Sequence, residues 1–379
     1  MAKVLSHGLR TWIEIDRKAI RHNFNVFKKL IPTKTKLMAV VKSNAYGSDF
    51  IQFSHEMGKC GADYLGVDSM VEATALRREG IQLPILVLGY TLPELFQEAS
   101  EKNIALSVSS FETLQALQKA RLSKPVSIHI KVDTGMHRQG FFTKDMSKIL
   151  GELKSESTKL KVEGLFTHFA SAKNPAFPKD TLSQIAEFEL WEQAFKKAGL
   201  DPIVHASATA GTMLFPQAHF DMVRVGIGLY GLWPAKEVRE YLRDSVNLKP
   251  VLVWKSLITE VKKVPSGSRI GYDLTEMMQK NATIAVVPIG YWHGYPRALS
   301  SIGRVLVNGK RCKVLGRVSM DMMSIDVTGV KGIKEGDEVV VLGIGGRGGP
   351  SAEGLADLLD ASWYEVITRI NPLIKRFYL

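Results

Sequence analysis

The stretch "AVVKSNAYG", residues 39–47, ends an apolar run on a lysine, Lys42. A single lysine in such a place is ordinarily a solvated strand end. Four other segments put groups with chemistry at matching places. "VSIHI" runs into Lys131, "VEGLFTH" ends on His168, "PIVH" opens the small-hydroxyl loop "HASATAGT", and "MVRVG" carries Arg224. His168 alone reads equally well as a hydrogen-bonded core histidine, and Arg224 as half of an ion pair. Their convergence on one rim would be harder to explain that way. A desolvated amine can lose its proton and form a Schiff base with an aldehyde. Amides and hydroxyls in "SATAG" and "GIG" suit a phosphate, and a pyridine nitrogen needs an electrostatic partner. Together these groups suit pyridoxal 5′-phosphate.

A scaffold must bring them together. From residue 37, short apolar runs alternate with amphipathic stretches: 37–41, 64–67, 84–88, 104–108, 126–130, 162–168, 202–205 and 222–226. Between them, "SMVEATALRREG" closes on a glycine, "SSFETLQALQKA" opens on a serine cap, and "LSQIAEFELWEQAFKKAG" closes on Gly199. Apolar strands alternating with helices imply a parallel sheet buried on both faces. Eight of them predict an α/β fold with an N-terminal (β/α)₈ TIM-like barrel, and barrel enzymes carry their chemistry at the C-terminal strand ends. After about residue 245 the texture becomes strands and turns. "VNGK" signals a hairpin, "GGRGGP" at 345–350 reads as a loop, and helices are expected near 351–360 and 362–371. The expected domains are therefore 1–244, the barrel, and 245–379, mainly antiparallel β, with the extreme N-terminal residues free to pair with the second.

Composition excludes several classes. At 379 residues, 45% hydrophobic and 23% charged, the chain is an ordinary globular protein. No run reaches the roughly 18 apolar residues of a membrane span, and "MAKVLSHGLRTWIEID" lacks the apolar stretch of a signal peptide. Cys60 and Cys312 form no CxxC and have no His cluster nearby, which argues against a zinc site and points to a reducing cytoplasm. The net charge of +12 is spread over scattered lysines and arginines rather than a nucleic-acid-binding run.

The chain resembles the alanine racemases, barrel-class pyridoxal phosphate enzymes, over nearly its whole length. "AVVKSNAYG" resembles the cofactor-lysine motif, which implies Lys42 as the Schiff-base residue and Tyr46 as a phosphate contact. "IKVDTGMHRQGF" resembles the segment with a carbamylated lysine, here Lys131, and a substrate-contacting arginine, Arg138. "FTHFASA" supplies His168, and "VRVGIGLYG" supplies Arg224 with the amides of Gly226 and Ile227. "IGYDLTE" matches the segment carrying the second base, Tyr272; "PIGYWHGYPR" and "GRVSMDMMSIDVT" supply Tyr291, Met320 and Asp321. The chain departs from the family at Ser48 and Asp49 in place of His-Gly, at Ala208 and Thr209 in place of Asn-Ser, and at Asp273 in place of glycine. Thr209 keeps a hydroxyl for the phosphate. Pro372 stands where some members place another phosphate-binding tyrosine.

The resemblance implies interconversion of L- and D-alanine by two bases, Lys42 and Tyr272, supplying D-alanine for peptidoglycan, in a homodimer with shared active sites. An arginine at the ring nitrogen keeps its proton, which weakens the electron sink and favours reprotonation over transamination. Barrel-class decarboxylases, the nearest alternative, use an acid there and a triple-glycine phosphate loop. A non-catalytic carrier of the cofactor would have no second domain. Tyr291 and Met320 imply a small pocket, which leaves alanine and serine as candidate substrates. No metal, nucleic acid or membrane is expected as a partner.

Overall fold

The eight apolar runs expected as strands all form strands, β2 to β9 in chain order, after a first strand β1 (Thr11–Ile15). They are β2 (Lys36–Val40), β3 (Tyr64–Val67), β4 (Ile85–Val87), β5 (Ile104–Val108), β6 (Val126–Lys131), β7 (Leu160–Phe166), β8 (Ile203–His205) and β9 (Met222–Val225). The structure is a computed structural model that describes residues 8–154, 160–343 and 350–379. The chain divides into two compact units, one of Ile20–Ala45 and Phe50–Leu248, the other of Met1–Ala19, Tyr46–Asp49 and Lys249–Leu379.

In the first unit the strands pair in parallel in the order β8-β7-β6-β5-β4-β3-β2-β9. No ladder joins β8 to β9, but two backbone bonds span the seam: Asp221 N–H to Val204 O at 3.0 Å and Arg224 N–H to Ser207 O at 2.9 Å. The result is a nearly closed eight-stranded barrel. Met38, Tyr64, Leu86, Ala105 and Met222, one from each of five strands, pack together inside it. The helices expected between strands appear: Met70–Arg78 is followed by Gly80 at positive φ, as expected, and is also capped by Ser69; Ser110 caps Phe111–Lys119, and Lys179–Lys197 is followed by Gly199 in the left-handed region. β7 stops two residues short of His168. The carbonyl of Thr167 is turned to the Arg224 guanidinium at 2.7 Å, so the backbone leaves the strand there.

The residues after β2 do something the sequence reading did not anticipate. Ser43, Asn44, Ala45 and Tyr46 all have positive φ, between 47° and 57°, and form a left-handed turn directly behind Lys42. For residues with a β-carbon this conformation costs about 1–2 kcal/mol each, so the surroundings must impose it. Three bonds inside the unit do so. The Glu72 carboxylate accepts the Ser43 amide at 2.8 Å and, through its other oxygen, the Asp68 amide at 2.7 Å; the Ala45 amide donates to Val41 O at 2.9 Å. Lys42 is thereby fixed by strained backbone on one side and a strand on the other.

The second unit is a nine-stranded sheet in the order β11-β14-β17-β16-β15-β18-β10-β1-β19. Its strands are β10 (Leu252–Leu257), β11 (Glu260–Val264), β14 (Ala282–Val287), β15 (Arg304–Val307), β16 (Lys310–Leu315), β17 (Met323–Asp326), β18 (Glu338–Leu342) and β19 (Arg376–Tyr378), with β12 (Arg269–Ile270) and β13 (Glu276–Met277) as a separate ribbon. Pairing is antiparallel except between β1 and β19. Asn308 and Gly309, both at positive φ, make the two-residue hairpin between β15 and β16 that "VNGK" predicts. Helices Ala352–Leu359 and Trp363–Thr368 follow. The expected loop at 345–350 lies, but for Pro350, outside the described residues. Among the described residues no helix is long and apolar enough to cross a membrane.

The strained turn makes a prediction. Ser43 is exposed, and ordinary exposed substitutions change stability by no more than about 0.5 kcal/mol. Ser43→Val should instead cost about 1–2 kcal/mol, because a β-branched residue tolerates positive φ poorly. Thermal unfolding of the variant checks this; an unchanged midpoint would mean that the turn is not held as described.

Candidate active site

At the C-terminal rim of the barrel the cationic groups foreseen from sequence come together, and burial decides what each can do. Lys42 is half-buried and pairs with Asp68 Oδ1 at 3.0 Å. Lys131, at the end of β6, is buried and donates to Gln139 Oε1 at 3.0 Å. Loss of water, with Arg138 and Arg224 nearby, pulls its pKa down to about 8. The loop after β6 is organised by a side chain the sequence reading passed over. Asp133 Oδ1 accepts the amides of Gly135, Met136 and His137 at 2.9–3.0 Å, and its Oδ2 accepts that of Arg138 at 3.1 Å. Burial alone would raise this carboxyl, but the amide bonds win and its pKa is lowered. "DTG" is an Asx-turn signal, so Asp133 was findable. A small cleft lined by Lys131, Asp133, Met136, Arg138, Gln139, Thr167 and His168 places Arg138 with Lys131 and His168.

Arg224 is the centre of the set. It is 3% exposed and, among the described residues, makes no ion pair with a carboxylate. Its Nη1 donates to His205 Nδ1 at 2.7 Å and to His205 O at 3.0 Å. Its Nη2 donates to Thr167 O at 2.7 Å, to Ala206 O at 2.6 Å and to His168 Nδ1 at 3.3 Å. The Nε–H has no acceptor among the described residues. Burial pulls the guanidinium down to about 9, and it is still charged at neutral pH. A guanidinium can only donate, so His168 must present a lone pair at Nδ1 and carry its proton on Nε2. Burial and the surrounding cations Arg224, Arg138, Lys131 and Lys42 depress His168 to about 3 and keep it neutral. His168 therefore acts on its neighbours as a polar group and not as a charged one.

Beside Arg224 lies a cradle of small groups. Thr209 Oγ1 accepts the amides of Gly226 at 3.1 Å and Gly228 at 3.4 Å. Gly228 has no room for a side chain: a β-carbon there would stand 2.3 Å from Phe27 Cζ and 2.9 Å from Thr209 Cγ2. Ile227, between the two glycines, is buried and begins the short turn Ile227–Tyr230.

The remaining expected site residues belong to the second unit. Tyr272 is 70% exposed and is followed by Asp273 and Leu274, both at positive φ. Asp273 lies 2.6 Å from Arg317 Nε, an ion pair that offsets the strain of an aspartate where the family has glycine. The amides of Tyr291 and Trp292 donate to Ser319 O at 3.1 Å and Met320 O at 3.0 Å, which binds Tyr291 to the segment of Met320 and Asp321. Tyr46 packs at 6.1 Å from the ring of Tyr364, and burial pushes its phenol up to about 12. The loop behind it is fastened by β19: Arg376 Nε donates to Gly47 O at 3.1 Å and Tyr378 Oη to Ser48 O at 2.5 Å.

Comparison with known proteins decides the family. A profile described as "Alanine racemase, N-terminal domain" matches residues 15–234, and "Alanine racemase, C-terminal domain" matches 251–378. The chain belongs to the alanine racemase family. The "Alanine racemase" of Methanococcus maripaludis is 38% identical over 379 residues, 99% of this chain and 100% of that protein. Alanine racemase of Clostridium difficile 630 superposes with a TM-score of 0.92 at 34% identity, covering 98% of this chain and 96% of that one. The Bacillus anthracis alanine racemase with bound L-Ala-P gives 0.91 at 35%, covering 98% and 95%. The reaction of an alanine racemase is the interconversion of L- and D-alanine.

Lys131 yields a prediction with a definite sign. Its folded pKa lies below that of a free lysine, so the fold favours the neutral amine. The penalty for burying the ammonium is fully present below about pH 8 and disappears as pH rises toward the free-lysine value. At pH 8 about half the molecules should carry a neutral Lys131, against about 0.3% for an unperturbed lysine. Competitive acetylation of carbon-dioxide-free apoprotein, read by peptide mass, should show Lys131 reacting with an apparent pKa near 8. A value near 10 would contradict the assignment.

Proposed function

We propose that the chain racemises alanine with pyridoxal 5′-phosphate at the barrel rim and two bases, Lys42 and Tyr272. The observation that carries this reading is Arg224, a buried guanidinium with every donor but Nε–H engaged by neutral acceptors. One charged N–H left over beside two lysines and an amide cradle fits a heterocyclic nitrogen that must accept a hydrogen bond without gaining a proton. The rest of the donor set fits too. The Thr209 hydroxyl and the amides of Gly226 and Ile227 suit a phosphate, and Gly228 lets Phe27 and Thr209 pack closely behind them. Tyr46 would add its phenol. Pyridoxal phosphate, when bound, supplies an aldehyde for the lysine and a conjugated ring that spreads the charge left by the departing α-proton.

Lys42 takes or returns that proton on one face, and Asp68 at 3.0 Å steadies its amine when protonated. Tyr272 does the same on the opposite face. An unperturbed tyrosine has a pKa of about 10, so it needs a polar donor, and the Nε2–H of neutral His168 is the group this site offers. Arg138 holds the substrate carboxylate, with Tyr291, Met320 and Asp321 around it. Lys131 is carbamylated: its lowered pKa makes the amine reactive towards carbon dioxide, and the resulting anion would hold the Arg138 guanidinium in a two-pronged contact. The relative from Bacillus anthracis carries L-Ala-P and one from Clostridium difficile carries cycloserine, both small, which favours alanine over bulkier amino acids.

A second copy of the chain completes the site. Tyr272, Leu274, Trp292, Met320 and Met322 are each more than half exposed, with Tyr291 at 44%. An apolar group of this kind on one unit marks an interface, and a homodimer would cover it. Lys42→Ala and Tyr272→Phe should each be nearly inactive alone. Mixed and allowed to exchange subunits, they should regain up to about half of the normal activity per heterodimer, because one site then holds both bases. If mixing restores nothing, the two bases come from one chain and the shared site is wrong.

A further inference from the structure

Inside the barrel a chain of polar side chains leads away from Arg224 toward the opposite end. Because Arg224 Nη1 must donate, His205 Nδ1 is an acceptor and its proton sits on Nε2. His205 Nε2 lies 2.9 Å from His129 Nδ1, which must then accept as well. The His129 proton is therefore on Nε2, and that nitrogen has no hydrogen-bond partner; the nearest acid is Glu163, its Oε1 3.9 Å away. Both histidines are wholly buried, and burial depresses both. The carboxylate also receives Tyr64 Oη at 2.7 Å and Ser127 Oγ at 2.6 Å, with Lys161 at 3.4 Å. The His129 ring and these hydroxyls hold it well below the usual carboxylate range.

The arrangement is built. Gly164 has no room for a β-carbon, which would sit 2.0 Å from His129 Nδ1. The His205 ring lies flat on Phe166, centroids 4.9 Å apart and planes 1° from parallel. Glu163 can carry its charge because a cavity of about 230 Å³, lined also by Arg77, Gln82, Asn103 and Ser127, opens beside it at the N-terminal strand ends.

We propose that Glu163 is a positioning residue of the racemase site, fixing Arg224 through His129 and His205; this rests on the reading of Arg224 given above. The two hydrogen bonds, Arg224 to His205 and His205 to His129, donate in the same direction, and the anion 3.9 Å beyond His129 polarises both, which strengthens the His205 lone pair that Arg224 needs. An uncharged terminus would leave the two histidines in place but loosen that grip, and the direction of the free Nε–H with it.

The test uses three variants and two readouts. In ¹⁵N-histidine spectra of the apoprotein, His129 and His205 should both be protonated at Nε2 only. Glu163→Gln, nearly the same shape without the charge, should shift the His205 Nδ1 resonance; Glu163→Asp should move it back. Glu163→Leu should disturb the His129 ring directly. In the cofactor-loaded dimer, Glu163→Gln should lower kcat about tenfold, inside the roughly 2- to 30-fold range for mutations along a coupled network, with KM for alanine little changed. Glu163→Asp should recover most of it. A Glu163→Gln protein with a lower unfolding temperature but unmoved histidine resonances and an unchanged kcat would reduce Glu163 to a structural role and overturn the proposal. The spectra need neither cofactor nor Lys42. Full racemisation by Lys42→Ala would therefore sink the proposed mechanism while leaving the histidine chain standing.

Discussion

A buried guanidinium with no carboxylate beside it is expensive, and the barrel is organised around making Arg224 tolerable. Its charge is met by the carbonyls of Thr167, His205 and Ala206, the lone pairs of two histidines and the face of the Phe166 ring at 5.4 Å. That demand explains several oddities of the fold. β7 ends early so that Thr167 can turn its carbonyl inward, and β8 stops at His205 for the same purpose. Beyond the two neutral rings of His205 and His129, the acid Glu163 stands 3.9 Å from the last nitrogen.

The same charge shapes its neighbours. Lys131 and His168 are each pushed toward the neutral state by burial and by the cations around them. Crowding cations in a buried place is one way to hold an amine and an imidazole neutral near neutral pH. Geometry is supplied separately, by strain. The left-handed turn Ser43–Tyr46 beside Lys42 and the Asp273–Arg317 pair beside Tyr272 both hold backbone that would otherwise relax.

Much of this was legible in the chain. Apolar runs between capped helices announced the barrel strands closely, because both faces of each strand are buried and little else tolerates such runs. Lys42, Lys131, His168 and Arg224 could be read because they interrupt or end those runs. His129 and His205 sit in the same runs, in "VSIHI" and "PIVH", yet they were passed over, since a buried histidine has no partner in the linear sequence to give it away. Glu163 was hidden similarly: its links to Tyr64 and Ser127 join β7 to β3 and β6. The left-handed turn was invisible because none of its four residues is glycine, and the Glu72 carboxylate that helps impose it comes from a later helix. Asp68, which pairs with Lys42, was missed for the same reason.

The sheet of the second unit has a history written into its order. β1 lies between β10 and β19, with Ile13 paired to Trp254 on one side and to Arg376 on the other. The strand made first thus waits for partners made last. During synthesis most barrel strands can pair as soon as their neighbours emerge, while Thr11–Ile15 must stay unpaired until β10 is made and lacks its other neighbour until β19 ends the chain. Closing so long a loop adds little free energy, since the cost grows only logarithmically with length, but it sets the order of events. Residues 11–15 are apolar enough to pair wrongly in the interval, so the last ladder to form is also the one most exposed to error.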